Sequence, residues 1–275
     1  MIDSTVRPTS VGDLVAWARA GRLDVDPASV RASTAFLTTY GTRHPGRNTS
    51  YRNEILSIRV GAAVGSCALE PGTATGELVD ECVAATIADL LDHPAPAVRI
   101  AALDAYLMHV APHPRAGGRP GEPVVIDGPT SLAKSRRRAA TVVDLLPAGV
   151  GRVLVVGVVG SLLAELRARE IGYLPCDLAG GVTEWGEQVF ESVAAAPSDV
   201  DAILATGMSL GNGGFDELRG IAARREIPLV LFAQTGSAVL PWFLGAGVHA
   251  VSAEPYPFFS LDGGPSTVFT YRERP

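Results

Sequence analysis

Two hydrophobic periods alternate along the second half of the chain. Short unbroken runs of apolar residues, typical of strands buried on both faces of a parallel sheet, alternate with stretches whose apolar residues recur at helical spacing. The runs predict strands at 153–156, 173–176, 202–206, 229–232 and 249–252, and the stretches predict helices at 131–146, 162–170, 184–194, 215–225 and 238–245. Repeated strand–helix–strand units specify a parallel sheet with helices on both faces.

The first half of the chain has a different pattern. Helical spacing predicts helices at 11–20, 78–91 and 97–110, and alternation predicts strand structure at 56–67. The segment 112–129 is dense in Pro and Gly, which is typical of a linker between domains. The chain is therefore predicted to be α/β, with a smaller α+β domain over residues 1–128 and a Rossmann-like parallel-sheet domain over residues 129–275.

Composition narrows the class of protein. Apolar residues are 47% and charged residues 19% of the 275 positions, as expected for a compact α/β core. The formal charge of −6 and the lack of a long basic run argue against a nucleic-acid partner. The N-terminus has no apolar signal segment, no run is long enough to span a membrane, and the three cysteines are far apart. We therefore expect a cytoplasmic protein with reduced thiols and no membrane partner.

The turn after the strand at 153–156 carries the most specific pattern. Gly157 and Gly160 allow a tight turn into the next helix, and the N–H groups at that helix start, with the hydroxyl of Ser161, attract anions. Asp177 ends the following strand, where dinucleotide folds place the acid that binds a ribose hydroxyl. The pattern predicts a seat for S-adenosylmethionine or NAD, but it reads G-x-x-G, and an ordinary βαβ turn also favours small residues.

Other polar residues follow the remaining predicted strands. Parallel sheets bind ligands beyond the carboxyl ends of their strands, so hydroxyls, amides and backbone N–H groups there predict a small-molecule site. The candidates after the third strand are Thr206, Gly207, Ser209 and Asn212, and those after the fourth and fifth are Thr235, Ser237 and Glu254.

Serine hydrolysis is a weaker alternative. Residues 207–211 match the G-x-S-x-G nucleophile elbow and lie between a strand and a helix, as that motif requires. However, His249 begins a strand and Asp216 lies inside the next helix, so a triad with Ser209 cannot easily converge.

The loop at 40–48 concentrates positive charge among glycines. Arg43, His44 and Arg47 could hold a carboxylate or phosphate through charge-assisted hydrogen bonds. A solvated connection between strands explains the same composition equally well.

Three runs of the sequence resemble a known family. The runs ATGMSLGNGGFDEL and PLVLFAQTGSAVLPWFLGAGVHAVSAEPY resemble the carboxyl-terminal domain of a poorly characterised prokaryotic family labelled as a heavy-metal chelation domain. The family's T-G-x-x-x-x-N-G-x-x-x-E-L loop and its later turn are matched by Thr206, Gly207, Asn212, Gly213, Glu217 and Leu218, and by Thr235, Gly236 and Ser237. The run PAVRIAALDAYL resembles its amino-terminal domain, whose fold is similar to the amino-terminal domain of enolase. The chain departs from the pattern at 40–48 and at 234–236.

The resemblance implies a protein that binds a small ligand or a metal complex between its two domains. An enzyme using S-adenosylmethionine or NAD on the turn at 157–161 is the alternative. The ligand, the metal if one is bound, and enzymatic activity stay open at this point, and a homodimer is compatible with the sequence.

Overall fold

The chain folds around two sheets. The computed structural model describes residues 7–43, 50–256 and 263–273. The elements of the amino-terminal part are α1 (Val11–Arg19), β1 (Thr34–Thr42), β2 (Tyr51–Val60), β3 (Ala63–Leu69), α2 (Gly76–Cys82), α3 (Ile87–Leu91) and α4 (Pro96–Val110). Those of the carboxyl-terminal part are β4 (Glu122–Ile126), α5 (Ser131–Val143), β5 (Arg152–Val156), α6 (Gly160–Ala168), β6 (Gly172–Cys176), β7 (Ala202–Thr206), α7 (Phe215–Arg225), β8 (Leu229–Ala233), β9 (Ala250–Ala253) and β10 (Ser266–Arg272).

The smaller sheet is an antiparallel meander in the order β1-β2-β3 with α4 packed against it. A Cβ on Gly65 of β3 would lie 1.9 Å from the backbone nitrogen of Ala105, so only glycine lets α4 approach so closely. The single helix predicted at 78–91 is wrong. It is interrupted at Ala84, which has a φ of +64°, and a capping box between Thr86 and Asp89 starts α3 anew.

The larger sheet has seven strands in the order β4-β10-β9-β8-β7-β5-β6. Strands β5 to β9 are parallel, whereas β10 pairs antiparallel with both β9 and β4. The predicted α/β class and the five predicted parallel strands are confirmed. The segment 112–129 is not irregular throughout, because it contains β4, which joins the larger sheet. The domain boundary at residue 128 stays a prediction, and β4 lies upstream of it.

Two predicted helices of this part are wrong. Residues 184–194 form irregular chain with a short 3-10 turn at Val193–Ala195, and three glycines with positive φ precede or interrupt the stretch, at 180, 181 and 186. Residues 238–245 hold only a 3-10 turn at Leu240–Phe243, which contains Pro241 and is followed by Gly245 with a φ of +76°. Proline removes a helical donor and positive φ ends a helix, so neither stretch can continue.

The larger sheet is buried on both faces. Val153, Val155 and Leu204 pack against α5 and α6, whereas Leu154, Ile203 and Leu231 belong to a core that continues into the smaller sheet and α4. This shared core holds the smaller sheet beside the larger one. No helix in the described parts of the chain is long and apolar enough to cross a membrane.

Candidate functional site

The direction of the strand crossovers reverses between β5 and β7. The strand that follows β5 along the chain, β6, lies on one side of it, and the next strand, β7, lies on the other side. Gly157 directly follows β5 and has a φ of +90°, and a Cβ on it would lie 2.6 Å from Cγ2 of Thr206, at the end of β7. The carboxyl ends of the two strands therefore meet closely at the point where open parallel sheets bind ligands.

Several backbone N–H groups of the turn after β5 already donate hydrogen bonds to other groups of the protein. Val158 N–H donates to Oδ2 of Asp177 over 3.0 Å, and Ala179 N–H donates to Oδ1 over 3.0 Å. Gly160 N–H donates to the phenol oxygen of Tyr51, on β2 of the smaller sheet, over 2.7 Å. The structure thus gives Asp177 a role in holding two turns together, and its contact with a ribose stays a prediction.

Ser161 lies one residue further along α6. It is buried, and its hydroxyl shares a 2.7 Å hydrogen bond with the hydroxyl of Ser135 on α5. The hydroxyl therefore joins two helices, and its contact with an anion stays a prediction.

The loop after β7 divides into a packed part and an open part. Gly207 packs against β8, since a Cβ there would lie 2.6 Å from Cβ of Ala233. Ser209 is 3% exposed, and its hydroxyl donates to the carbonyl oxygen of Thr206 over 2.8 Å. Thr206 is half-buried and Asn212 is exposed. Met208 of the same loop is also exposed. A ligand can reach these three side chains, although Thr206 Oγ1 already accepts from Met208 N–H over 3.4 Å and Asn212 Oδ1 from Gly214 N–H over 3.0 Å.

The elbow motif has no triad around it in the described chain. Ser209 follows β7 at the carboxyl edge of the sheet, whereas His249 precedes β9 at the opposite edge. Asp216, on α7, accepts a hydrogen bond from Val11 N–H. Because the serine hydroxyl is buried and donates to the backbone, nothing in this arrangement favours nucleophilic attack.

The loop after β8 is fixed to the smaller sheet. Thr235 and Ser237 are 6% and 1% exposed. Gly236 N–H donates to Ser66 O of β3 over 2.7 Å, and Ala238 N–H donates to Oδ1 of Asp104 on α4 over 2.8 Å. The hydroxyls of Thr235 and Ser237 thus lie inside a junction between the two parts of the chain, and their contact with a ligand stays a prediction.

Glu254, which follows β9, is the centre of a buried polar network. Arg138 of α5 donates to it twice, from Nε over 2.5 Å and from Nη2 over 2.8 Å. Gln234 Nε2 and Ser266 Oγ donate to the same carboxylate over 2.9 and 2.5 Å. The side chains of Arg138 and Glu254 are 18% and 4% exposed. Sequence reasoning selected Glu254 but missed Arg138 and Gln234, because among three consecutive arginines nothing local distinguishes the one that reaches the sheet edge.

Two tyrosines bring the smaller sheet to this edge. Tyr51 reaches the turn after β5, and Tyr40 of β1 stacks on Tyr256 beyond β9, with ring centroids 6.1 Å apart. Burial raises the pKa of Tyr40. Arg43 is exposed at the end of β1, whereas His44 and Arg47 lie outside the described residues. The edge of the parallel sheet and the smaller sheet therefore face each other along several strands.

Metal ligands do not gather in this part of the molecule. Within residues 7–43, 50–256 and 263–273, no group of three or more His, Cys, Asp or Glu side chains could hold a metal ion.

The fold is shared with two solved structures. A protein of unknown function from the DUF364 family of Desulfitobacterium hafniense superposes with a TM-score of 0.59 at 14% identity, covering 91% of this chain and 95% of that chain. A DUF364 protein of unknown function from Pyrococcus horikoshii gives 0.56 at 11% identity, covering 94% of this chain and 99% of that chain. No family model and no curated protein matches the sequence. These likenesses support the fold and fit a poorly characterised family, but neither description mentions heavy-metal chelation.

Proposed function

We propose that the chain binds a small ligand at the carboxyl edge of the parallel strands, on the side that faces the smaller sheet. The observation that carries the proposal is the crossover reversal between β5 and β7, with Gly157 and Thr206 in contact there and Tyr51 reaching the same turn. Open parallel sheets bind their ligands at such a point.

The exposed side chains around the reversal suggest the chemistry of the ligand. Leu178 follows β6 and Met208 follows β7, one strand on each side of β5, and they are 67% and 36% exposed. Thr206 and Asn212, at the end of β7 and in the loop after it, add a hydroxyl and an amide whose oxygens accept from Met208 and Gly214 N–H groups and whose own O–H and N–H groups can donate to a ligand. Binding sites for small molecules combine apolar surface with a few polar groups in this way. A ligand with an apolar face and hydrogen-bonding groups fits this edge better than a bare ion does.

A complexed metal ion is one form of such a ligand. The described residues offer no metal-binding cluster, so the ion would be held through its organic ligands. The adenosine alternative has less support, because a phosphate seated at the start of α6 would compete with Tyr51 for Gly160 N–H. No observation favours catalysis over binding.

Native mass spectrometry of the purified protein, followed by calorimetric titration, tests the proposal. The probes are S-adenosylmethionine, NAD, and zinc, nickel and copper ions offered free and as citrate complexes. We expect Thr206→Val to weaken binding of the ligand found by about 1 kcal/mol, roughly fivefold. The control is Thr270→Val on β10, a strand that β9 and β8 separate from β7. A ligand whose affinity is unchanged by Thr206→Val, or lowered equally by Thr270→Val, would place the site elsewhere.

A further inference from the structure

Lys134 is the only lysine of the chain, and it is buried. The chain has 23 lysine and arginine residues, and all the others are arginines. Lys134 is the fourth residue of α5 and is 6% exposed. Arginine suits buried ion pairs because its planar fork matches a carboxylate, whereas lysine carries a compact point charge. Lysine at this one position therefore indicates a contact that needs a compact ammonium group.

The ammonium group of Lys134 contacts the segment before β10. Nζ donates to the carbonyl oxygens of Gly263 and Gly264. Gly263 is exposed and Gly264 is half-buried, so the ammonium group lies close below the surface. A lysine ammonium has three donors and a full positive charge, whereas both of its acceptors among the described residues are neutral. The third donor and the charge are therefore available to another group.

No carboxylate of the described residues forms an ion pair with Lys134. Glu254 accepts four hydrogen bonds, two of them from Arg138, which lies one turn further along α5. Asp127 lies before α5 and is exposed. The first turn of α5 has no acidic residue, and the amino end of a helix carries partial positive charge of its own. Glu254 thus balances Arg138, and the described residues leave the charge of Lys134 unbalanced.

A buried ammonium group needs compensation for the water it has lost. Its burial is costly unless an opposite charge or hydrogen bonds replace that water. Two neutral carbonyls supply part of the compensation, and an anion from outside the chain would supply the rest. We propose that Lys134 forms an anion subsite at the start of α5, which takes a carboxylate or a phosphate group of the ligand. The subsite deepens the proposed function, and it rests on that function in assigning the anion to the same ligand.

The subsite lies on the same edge of the sheet as the reversal between β5 and β7. β10 runs antiparallel to β9, so it begins at the edge where β9 ends, and the segment that Lys134 contacts comes just before it. β10 lies three strands from β7, about 14 Å at the usual strand spacing of about 4.8 Å. An elongated small molecule can span that distance, with its anionic group at Lys134 and its apolar part beside Met208.

The single lysine makes the subsite directly observable by NMR. The full chain labelled with carbon-13 lysine gives one set of lysine side-chain signals, all from Lys134. The probes are inorganic phosphate, citrate and chloride at matched ionic strength. We expect a saturable shift of the Lys134 signals with phosphate or with citrate, and none with chloride, because an oxyanion accepts charge-assisted hydrogen bonds from the ammonium group. The tighter of the two anions shows whether the subsite prefers a phosphate or a carboxylate. No saturable shift with either, or the same shift with chloride, would overturn the subsite.

Two variants test whether the ammonium group itself binds the anion. Lys134→Gln removes the charge, and we expect the calorimetric affinity for the tighter anion to fall by at least about tenfold. Arg136→Gln removes an equal charge from an exposed position of the same helix, and it should lower the affinity by less than about twofold. Equal losses in the two variants would overturn the subsite. If Lys134→Gln does not fold, the titration of the Lys134 signals in the parent decides.

The subsite and the proposed function fail separately. Thr206→Val tests the ligand site at the reversal with the ligand found there. A saturable shift of the Lys134 signals supports the subsite even when no ligand depends on Thr206. A ligand that depends on Thr206, in a protein whose Lys134 signals do not respond to either anion, overturns the subsite alone.

Discussion

Tyr51 and Gly160 join the two parts of the chain at the turn where a phosphate was expected to bind. The phenol oxygen of Tyr51 accepts the backbone N–H of Gly160 over 2.7 Å, at the first residue of α6. A neutral hydroxyl therefore takes one of the N–H groups that make a helix start attractive to anions. The glycine pattern of the turn has a structural use that needs no nucleotide.

Tyr51→Phe should separate these two uses. The variant leaves Gly160 N–H without its acceptor, so we expect it to lose about 1 kcal/mol of unfolding free energy, measured by urea denaturation. Neither the parent nor the variant should bind NAD in calorimetry. Tighter NAD binding by Tyr51→Phe than by the parent would instead show that the phenol occupies a phosphate seat.

Gly157→Ala should be far more damaging than Gly149→Ala. The two glycines have φ values of +90° and +86°, so both substitutions carry a left-handed penalty of about 1–2 kcal/mol. At Gly149 the new Cβ meets nothing within 4 Å, whereas at Gly157 it lies 2.6 Å from Cγ2 of Thr206. We expect Gly157→Ala to cost a further 1–3 kcal/mol or so for this contact. Adding Thr206→Ser removes Cγ2 and should recover part of the loss. Equal losses of unfolding free energy in Gly157→Ala and Gly149→Ala would contradict the close contact between Gly157 and Thr206.

Glu254→Gln tests the buried ion pair. The change keeps the shape of the side chain but removes the buried negative charge that accepts two hydrogen bonds from Arg138, which should cost about 3–5 kcal/mol in chemical denaturation. The double substitution Arg138→Met with Glu254→Leu removes both charges and should recover much of that loss. Asp92→Asn, which breaks the exposed pair with Arg19, should change stability by less than about 1 kcal/mol. A small loss in Glu254→Gln would show that the carboxylate does not hold Arg138.

Ser209 should not react as a nucleophile. Its hydroxyl is 3% exposed and donates to Thr206 O, so we expect no labelling of the parent by a fluorophosphonate and no hydrolysis of simple esters. Ser209→Ala should lower the unfolding free energy by about 1 kcal/mol through loss of that hydrogen bond. Stoichiometric labelling of Ser209 would restore serine hydrolysis as a candidate activity.

The hydrophobic pattern along the sequence predicted the strands and helices whose formation depends mainly on their own residues. The parallel strands β5, β7 and β8 are unbroken apolar runs because both of their faces are buried, and α4 shows helical spacing along its whole length. The edge strand β4 and its neighbour β10 escaped prediction. Their residues are EPVVI and STVFTYR, in which proline and polar residues interrupt the apolar pattern, and each becomes a strand through antiparallel pairing with a strand distant in sequence.

In the candidate site, too, some features depend on local sequence and others on contacts between distant segments. The sequence alone determined which residues follow the carboxyl ends of the parallel strands, because that depends only on where each strand ends. Tertiary structure decided which of them face solvent. It exposed Asn212 and buried Ser209, Thr235 and Ser237, and it brought Arg138 to Glu254 across 116 positions and Ala238 to Asp104 across 134. Contacts between positions so far apart depend on how the two sheets pack. The hydrophobic periodicity of a segment predicts its own secondary structure but does not show which distant segment it will contact.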